Sequence, residues 1–256
     1  MKKVTAFIAS QQKRATYGAV REFGEHLKAL GEVDFEVVFL KDYRLDYCRG
    51  CCACFEKGEE RCPLKDDRDL LLQKIENSDG VIFASPTYAF QVAAPMKTML
   101  DRFSFILHRP RFFGKAFTAI AAQGLHGGGN VVKYLCGIGK SMGFSVTRGC
   151  VLQTLEPSTE ASRQKNTLKL KKAAKRFSSG LARSTPPSPS LFRLMLFRMS
   201  RTGIKAMLGE ECRDYRHYRE SGWFEGDYYY PVALGPVKKT AGLMFDFLGG
   251  QMVKHR

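Results

Sequence analysis

Apolar and polar positions follow two different periods along the first 155 residues. Short, nearly continuous apolar runs are typical of buried strands, and they are separated by stretches with an apolar residue at every third or fourth position, which is typical of an amphipathic helix. The strands are predicted at residues 4–9, 35–40, 80–84, 116–122 and 145–152, and the helices between them at 18–30, 67–77, 95–105 and 130–142. This alternation predicts an α/β fold, an open, doubly wound parallel sheet of five strands with helices on both faces.

The pattern changes after residue 156. Basic helices are predicted at 162–183 and 191–208, with a Pro- and Ser-rich linker at 184–190 between them. An aromatic segment at 214–230 and an apolar helix at 242–253 follow. We therefore divide the chain into a domain of residues 1–156, which includes a cysteine-rich loop at 48–62, and a mainly helical extension of residues 157–256.

Charge is concentrated in that extension. The chain of 256 residues has a net charge of +16, and residues 157–256 hold 19 Lys and Arg against 8 Asp and Glu, a net of +11. The helix at 191–208 interleaves apolar residues with Arg193, Arg198, Arg201 and Lys205, which is typical either of a helix at an anionic membrane surface or of a helix packed on the core or a second subunit. We find charge but no recognition motif for a specific nucleic acid. The absence of a secretion signal and of a long apolar span predicts a cytoplasmic protein.

Three loops follow strands that end at the same edge of the predicted sheet, where such folds bind ligands. The first, Ser-Gln-Gln-Lys-Arg-Ala-Thr-Tyr at 10–17, precedes a helix and suits a monophosphate such as that of FMN, although it could also be a solvated loop in which Thr16 caps the helix. The second, Ser-Pro-Thr-Tyr at 85–88, offers backbone amides and an aromatic edge to a flat ring. The third, at 123–129, is rich in glycine, which lets the backbone approach a ligand closely.

Four cysteines lie within fifteen residues: Cys48, Cys51, Cys54 and Cys62. This spacing is compact enough for one tetrathiolate centre, and the redox-type surroundings favour iron–sulfur over zinc or over plain reduced thiols. Cys52 is an alternative ligand. The remaining thiols, at positions 136, 150 and 212, are predicted to be structural.

Together these motifs resemble the iron–sulfur flavoproteins within the larger flavodoxin-like, NADPH-dependent FMN reductase group. The matching pieces are the cysteine motif, Lys65-Asp66-Asp67, the Ser85–Tyr88 motif, Lys97 with Asp101-Arg102, and the glycine loop. The phosphate loop departs from the group's pattern because its proline and asparagine are missing.

The resemblance implies a five-stranded flavodoxin-like sheet in the order 2-1-3-4-5, bound FMN, a [4Fe–4S] cluster on the four cysteines, NAD(P)H as electron donor and a homo-oligomer. The cofactor-binding residues it implies are Ser10, Lys13, Arg14, Thr16, Tyr17, Ser85, Pro86, Thr87, Tyr88, Gln123, Gly124, Gly127 and Gly128. The predicted function is an FMN-dependent oxidoreductase or electron-transfer flavoprotein that serves a redox partner protein or a small-molecule acceptor. The alternative is a non-catalytic, redox-responsive protein whose basic extension docks on an anionic membrane or a partner.

Overall fold

A computed structural model describes residues 1–183 and 185–254. Its sheet has five long or moderately long strands and two very short ones. In chain order they are β1 (Lys2–Ile8), β2 (Val33–Phe39), β3 (Gly80–Tyr88), β4 (Gln91–Val92), β5 (Ala116–Gln123), β6 (Ser145–Val146) and β7 (Cys150–Gln153). The helices are α1 (Ala15–Lys28), α2 (Ala53–Glu56), α3 (Arg68–Glu76), α4 (Ala94–Arg102), α5 (Phe105–His108), α6 (Gly128–Ser141), α7 (Glu160–Leu181), α8 (Leu191–Met207), α9 (Arg213–Glu220) and α10 (Pro236–Lys254).

The strand order is β2-β1-β3-β5, with β6 and β7 both paired to the outer side of β5. All of these pairings are parallel, and β4 alone among the described strands pairs antiparallel, to β3. The predicted fold class is therefore confirmed. The predicted fifth strand is split into β6 and β7, and both parts occupy the position expected for one strand.

Burial alternates along the strands, so each face of the sheet has its own apolar layer. Val4, Ala6 and Ile8 pack with buried residues of α1 and α7 in one core cluster. Phe7, between them in sequence, meets the ring of Phe83 at 5.8 Å on the other face. Because both faces are covered, residues 80–84 of β3 and nearly all of β5 form apolar runs, as the sequence pattern predicts.

In the extension, the helix predicted at 242–253 begins six residues earlier, at Pro236, and two predicted element boundaries of the sheet domain are also wrong. The third strand extends four residues beyond Ala84 and includes the whole Ser85–Tyr88 motif, which was expected in a loop. The helix expected at 95–105 is two helices, α4 and α5, separated by Phe103 and Ser104. The other predicted strands and helices of the sheet domain agree with the structure to within about three residues at each end.

The chain forms two compact units. Unit 1 contains residues 1–49, 64–107 and the chain from 111 to 186, and unit 2 contains residues 50–63, 108–110 and the chain from 187 onward. The two units do not divide at residue 156, where the composition changes, because α7 packs in the sheet core through residues such as Leu170 and Phe177. Of the predicted linker, Ser184 lies outside the described residues, as do His255 and Arg256 of the extension; residues 185–190 form neither helix nor strand.

Unit 2 is built around α8 and α10 and an aromatic cluster. Trp223 is nearly buried, and its ring contacts those of His217, Tyr218 and Tyr229 at 4.7–4.9 Å. In the described part of the chain, no helix combines the length and apolar character needed to cross a membrane.

Candidate functional site

The loop after β1 presents an uncapped helix start. Arg14 stands at the N-cap of α1, no side chain caps the helix, and its first turn contains no acidic residue. Ser10 is buried and its hydroxyl donates to the carbonyl of Gln12 at 3.1 Å, which shapes the loop. Thr16 is also buried but lies inside the helix, so the alternative in which it serves as the cap is wrong. The free N–H groups and the positive end of the helix dipole suit an anion such as a phosphate.

Two further residues of this loop have defined places. The ammonium group of Lys13 lies 5.8 Å from the centre of the Tyr17 ring, and the Tyr17 ring lies 5.4 Å from that of Phe39 at the end of β2. Lys13 and Arg14 are both exposed. The loop therefore places two cations beside the start of α1.

The Ser85–Tyr88 motif forms the first arm of a tight hairpin. Thr87 pairs with Val92 and Tyr88 with Gln91, and the two turn residues, Ala89 and Phe90, have φ of 46° and 63°. Positive φ at both turn positions is the conformation that suits the twist of a two-residue hairpin. The hairpin leaves Tyr88 62% exposed at the edge of the sheet.

Ser85 and Thr87 differ in how their hydroxyl groups are used. The Ser85 hydroxyl accepts from the N–H of Ala93 at 2.9 Å and donates to the carbonyl of Pro86 at 2.7 Å, so it ties the hairpin to the start of α4. The hydroxyl oxygen of Thr87 is buried and has no hydrogen-bonding partner in the described structure. An unpartnered buried hydroxyl is costly, which makes Thr87 the group here that most needs a ligand.

The glycine-rich loop after β5 closes against this hairpin. Gly127 has φ of +95°, and a Cβ there would lie 3.0 Å from Cδ1 of Phe90 and 3.2 Å from Cγ2 of Thr87. The ring of His126 lies 4.9 Å from the Phe90 ring. Only glycine combines this backbone conformation with so close an approach.

The Gln123 side chain hydrogen-bonds to the same loop. Its side-chain oxygen accepts from the N–H of Gly128 at 2.8 Å, and its nitrogen donates to the side-chain oxygen of Gln153 at 2.9 Å. Gln123 and Ser85, both predicted to bind the cofactor, therefore position the loops through bonds within the protein. Gly124 and Gly128 lie beside them in the loop backbone.

The three loops start at one edge of the sheet because their strands are neighbours. In the parallel ladders Ile8 pairs with Ala84, and Pro86 pairs with Ala122, so β1, β3 and β5 end at one edge. The chain order reverses between β1 and β3, which is where open α/β sheets bind ligands. The uncapped helix start, the Thr87 hydroxyl and the Gly127 cradle fit a flat ligand with a phosphate group, as FMN has.

The Lys65-Asp66-Asp67 and Asp101-Arg102 motifs have a structural role. The Asp67 carboxylate accepts from the N–H of Arg44 at 2.7 Å, and the Asp66 carboxylate accepts from the N–H of Asp46 at 2.9 Å and from the Arg102 guanidinium at 2.8 Å. The side chains of Asp66 and Arg102 are 0% and 2% exposed. These bonds join the two ends of the cysteine-rich loop, and we call them the Asp66 clasp.

The four predicted metal ligands do not form a metal site in the structure. Cys48 and Cys51 are exposed, Cys54 and Cys62 are half-buried, and no disulfide links them. Among residues 1–183 and 185–254, no group of three or more His, Cys, Asp or Glu side chains is placed to hold a metal ion. Cys52, the alternative ligand, is exposed at the start of α2 with φ of 57°.

The part of the cysteine-rich loop that belongs to unit 2, residues 50–63, is held by residues that the sequence analysis did not identify. Arg109 is fully buried and donates to the carbonyl of Cys54 and to Glu59, both at 2.8 Å, and it also binds Asp214 of α9. His108 contacts the other oxygen of Asp214 at 2.7 Å, and its ring stacks on Phe55 at 4.2 Å. The sequence carries no local signal of this cluster, because Asp214 lies about a hundred residues after Arg109.

A second group of titratable residues lies near Cys48 in unit 1. The hydrogen bond to Asp101 raises the pKa of Lys97, with smaller contributions from Tyr134 and Cys48. Burial raises the pKa of Tyr134 on α6. Lys97 therefore stays protonated and keeps a positive charge near the Cys48 thiol.

Comparison with known proteins agrees with this geometry. Residues 2–154 match the family model of the NADPH-dependent FMN reductases. An iron-sulfur flavoprotein of Archaeoglobus fulgidus is 38% identical over 141 residues, which are 54% of this chain and 56% of that protein. The chain thus spans about half the length of that relative.

Solved structures show the same fold. RosB, solved with a bound intermediate of riboflavin phosphate, has a TM-score of 0.56 and 12% identity over 92% of both chains. An FMN-dependent NADH-azoreductase of Bacillus anthracis, in complex with FMN, has a TM-score of 0.55 and 16% identity over 70% of this chain and all of that one. From the family match and this shared fold, we conclude that the chain belongs to the NADPH-dependent FMN reductase family.

Proposed function

We propose that this protein is an FMN-dependent oxidoreductase that takes electrons from NAD(P)H. The observation that carries the proposal is that three unusual loops start at the same carboxyl edge, that of β1, β3 and β5. The first loop ends in an uncapped helix start, the hairpin carries a buried hydroxyl without a partner, and the third loop contains a glycine with no room for a side chain. Membership of the family and the FMN bound by the azoreductase of the same fold support FMN as the ligand.

Each loop has a part in this proposal. The loop after β1 would hold the phosphate through Ser10, Lys13, Arg14, Thr16 and Tyr17. The hairpin and the glycine loop would border the ring through Pro86, Thr87 and Tyr88 and through Gly124, Gly127 and Gly128. Ser85 and Gln123 act one step further back, because their side chains fix the two loops against each other.

Bound FMN would supply hydride and single-electron chemistry, which the twenty amino acids lack. The chain's own contribution is placement. The Thr87 hydroxyl would donate to an acceptor at the ring edge, and the rings of Phe90 and His126 lie 4.9 Å apart beside Gly127. The acceptor of the electrons, as we propose it, is a redox partner protein or a small molecule, and the working form is a homo-oligomer.

We further propose that Cys48, Cys51, Cys54 and Cys62 bind a [4Fe–4S] cluster. The compact spacing of the four thiols and the names of the curated relatives support this proposal. Because no group of side chains among the described residues is placed to hold a metal, the cysteine segment would have to rearrange to bind the cluster.

Flavin binding is tested by titrating flavin-free protein with FMN and following the quenching of flavin fluorescence. We expect saturable binding, and we expect Arg14→Ala to weaken it by about tenfold because one phosphate-facing cation is lost. Arg163→Ala, in the exposed first turn of α7, is the matched control and should leave the affinity unchanged. If the unmodified protein binds no FMN at any concentration tested, the proposal fails.

The cluster is tested separately, by anaerobic purification with assays of iron, acid-labile sulfide and flavin. We expect about four iron and four sulfide per chain. Cys51→Ser should lower both, whereas Cys136→Ser, which changes a half-buried thiol on α6, should lower neither. Zinc in place of iron, or full flavin without iron or sulfide, would contradict the cluster and leave the flavin proposal standing.

A further inference from the structure

Exposed apolar side chains are concentrated on two helices of unit 2. Of the twenty large hydrophobic side chains that are exposed among the described residues, eleven lie between positions 191 and 252, five on or just after α8 and six on α10. The six on α10 are Val237, Leu243, Met244, Phe247, Leu248 and Met252. Such a concentration marks an interaction surface, because single exposed apolar residues are normally scattered.

The exposed residues of α10 form a stripe on the side that faces away from α8. The inner side is marked by Gly249, where a Cβ would lie 3.3 Å from Cα of Met199 on α8, and by Gly242, where it would lie 3.2 Å from the Arg198 guanidinium. Helix α10 thus packs on α8 with its inner side and leaves an apolar outer side uncovered, a pattern that indicates a partner on the outer side as well. A groove of about 510 Å³, lined by Pro236, Val237, Thr240, Ala241 and Met244, lies along the first turns of this stripe.

The charges around the stripe identify the kind of partner. Arg198 and Arg201 of α8 are buried and bind Asp246 of α10 at 2.8 and 2.6 Å, which agrees with the alternative in which this helix packs within the protein. These ion pairs engage the one acidic residue of α10. The exposed charges on α10 are then Lys239 and Lys254, one toward each end of the stripe.

We propose that this face of α10 docks on the surface of an anionic phospholipid bilayer. An apolar stripe bordered by lysines, with no exposed carboxylate on the helix, matches a bilayer interface in which acyl chains lie beneath negatively charged headgroups. A second copy of the chain fits less well, because it would bring two lysine-bordered faces together. This inference is independent of the proposed oxidoreductase activity.

The test is sedimentation of the purified protein with two kinds of vesicle. One kind is phosphatidylcholine alone, and the other contains equal parts of phosphatidylcholine and phosphatidylglycerol. We expect binding to the anionic vesicles at low ionic strength, weaker binding at high salt and little binding to the neutral vesicles.

Three variants separate the contributions. Met244→Glu combined with Phe247→Glu should lower binding by at least about tenfold, because two apolar side chains no longer enter the bilayer. Lys239→Glu combined with Lys254→Glu should lower binding to anionic vesicles by about tenfold as well. Leu168→Glu replaces a comparably exposed apolar residue on α7 of unit 1 and should bind like the unmodified protein.

Circular dichroism and the fluorescence of Trp223, which is buried in unit 2, verify that each variant is folded. Failure of the unmodified protein to sediment with anionic vesicles at low salt would overturn the proposal. Equal binding to neutral vesicles would also overturn it, as would a concentration-dependent dimer that Phe247→Glu disrupts in a protein that binds no vesicles. The last result would assign the face to a second copy.

Discussion

Replacing Asp66 by asparagine removes the negative charge at the centre of the Asp66 clasp. In the native protein this carboxylate accepts hydrogen bonds from the Arg102 guanidinium at 2.8 Å, from the N–H of Asp46 at 2.9 Å and from the N–H of Arg68 at 3.2 Å. Asparagine is nearly the same size and keeps one acceptor oxygen. The substitution therefore changes charge far more than shape.

The expected cost follows from burial. The side chains of Asp66 and Arg102 are 0% and 2% exposed, so water cannot replace the lost partner of the guanidinium. Removing one member of a buried ion pair costs about 3–5 kcal/mol, and we expect about 3 kcal/mol because asparagine still accepts some of the hydrogen bonds. Asp101→Asn is the matched control: Asp101 pairs with Lys97 where the side chains are 45% and 53% exposed, and its loss should cost at most about 1 kcal/mol.

Urea unfolding followed by circular dichroism measures both free energies of unfolding. Hydrogen exchange with mass spectrometry then localises the effect, and we expect faster exchange in the peptides around Arg44 and Asp46 in the Asp66→Asn variant. Replacing the pair together, by Asp66→Leu with Arg102→Met, should cost less than the sum of the single changes, because no buried charge is left alone. The reasoning is refuted if Asp66→Asn costs no more than Asp101→Asn, or if the double variant is simply additive.

Three further predictions concern other parts of the molecule. Gly127→Ala should weaken FMN binding by about tenfold or more, because alanine is strained at φ of +95° and collides with the hairpin, whereas Gly129→Ala has open space and should bind normally in the same fluorescence titration. Burial raises the pKa of Cys150 to about 11, so between pH 9 and pH 11 the thiol is ionised in the unfolded chain but still protonated in the folded protein. The free energy of unfolding should therefore fall as the pH rises, by up to about 1.4 kcal/mol per pH unit more than in the Cys150→Ala control. Asp214→Asn should destabilise unit 2 by about 2 kcal/mol, against at most about 1 kcal/mol for the exposed Glu220→Gln, as measured by the fluorescence of the single tryptophan in urea.

Each of these predictions has an outcome that contradicts it. Equal FMN affinities for Gly127→Ala and Gly129→Ala would mean that the cradle does not border the flavin. Parallel stability curves for the native protein and Cys150→Ala above pH 9 would mean that this thiol is not protected from water. If Asp214→Asn and Glu220→Gln unfold at the same urea concentration, the buried cluster around Arg109 does not stabilise unit 2.

Local apolar patterns were enough to predict the sheet. Runs such as residues 80–84 and 116–122 are apolar at nearly every position, as expected for strands that are covered on both faces. Their alternation with helices along the chain then predicts a parallel sheet that binds ligands at its carboxyl edge. The same patterns could not predict the hairpin after Tyr88. Its turn residues, Ala89 and Phe90, have positive φ without the glycine or asparagine that normally signals such a turn.

Charged residues were the hardest to interpret from the sequence. Arg198 and Arg201 have the helical spacing of surface cations, yet both are buried, because Asp227 and Asp246 are brought to them from 29 to 48 positions further along the chain. Asp66 likewise stands in a motif shared with flavin enzymes, although its carboxylate holds the ends of the cysteine-rich loop. The sequence shows that a residue is charged, but it does not show whether the charge is solvated, binds a ligand or pairs with a residue far away in the chain.

The parallel sheet, the three loops at its carboxyl edge and the spacing of the cysteines can all be predicted from the chain, since they depend on periodicity and on neighbours in sequence. Which loop residues support the fold and which are left to bind a ligand depends on contacts between segments far apart in sequence. Through such contacts Ser85 and Gln123 hydrogen-bond to the backbone of neighbouring segments, whereas the Thr87 hydroxyl has no partner among the described residues. Arg109 and Asp214 likewise hold the cysteine-rich loop in place. These contacts form because buried polar groups need hydrogen-bonding partners, and the local pattern of residues does not show which groups become buried or which partners come close to them.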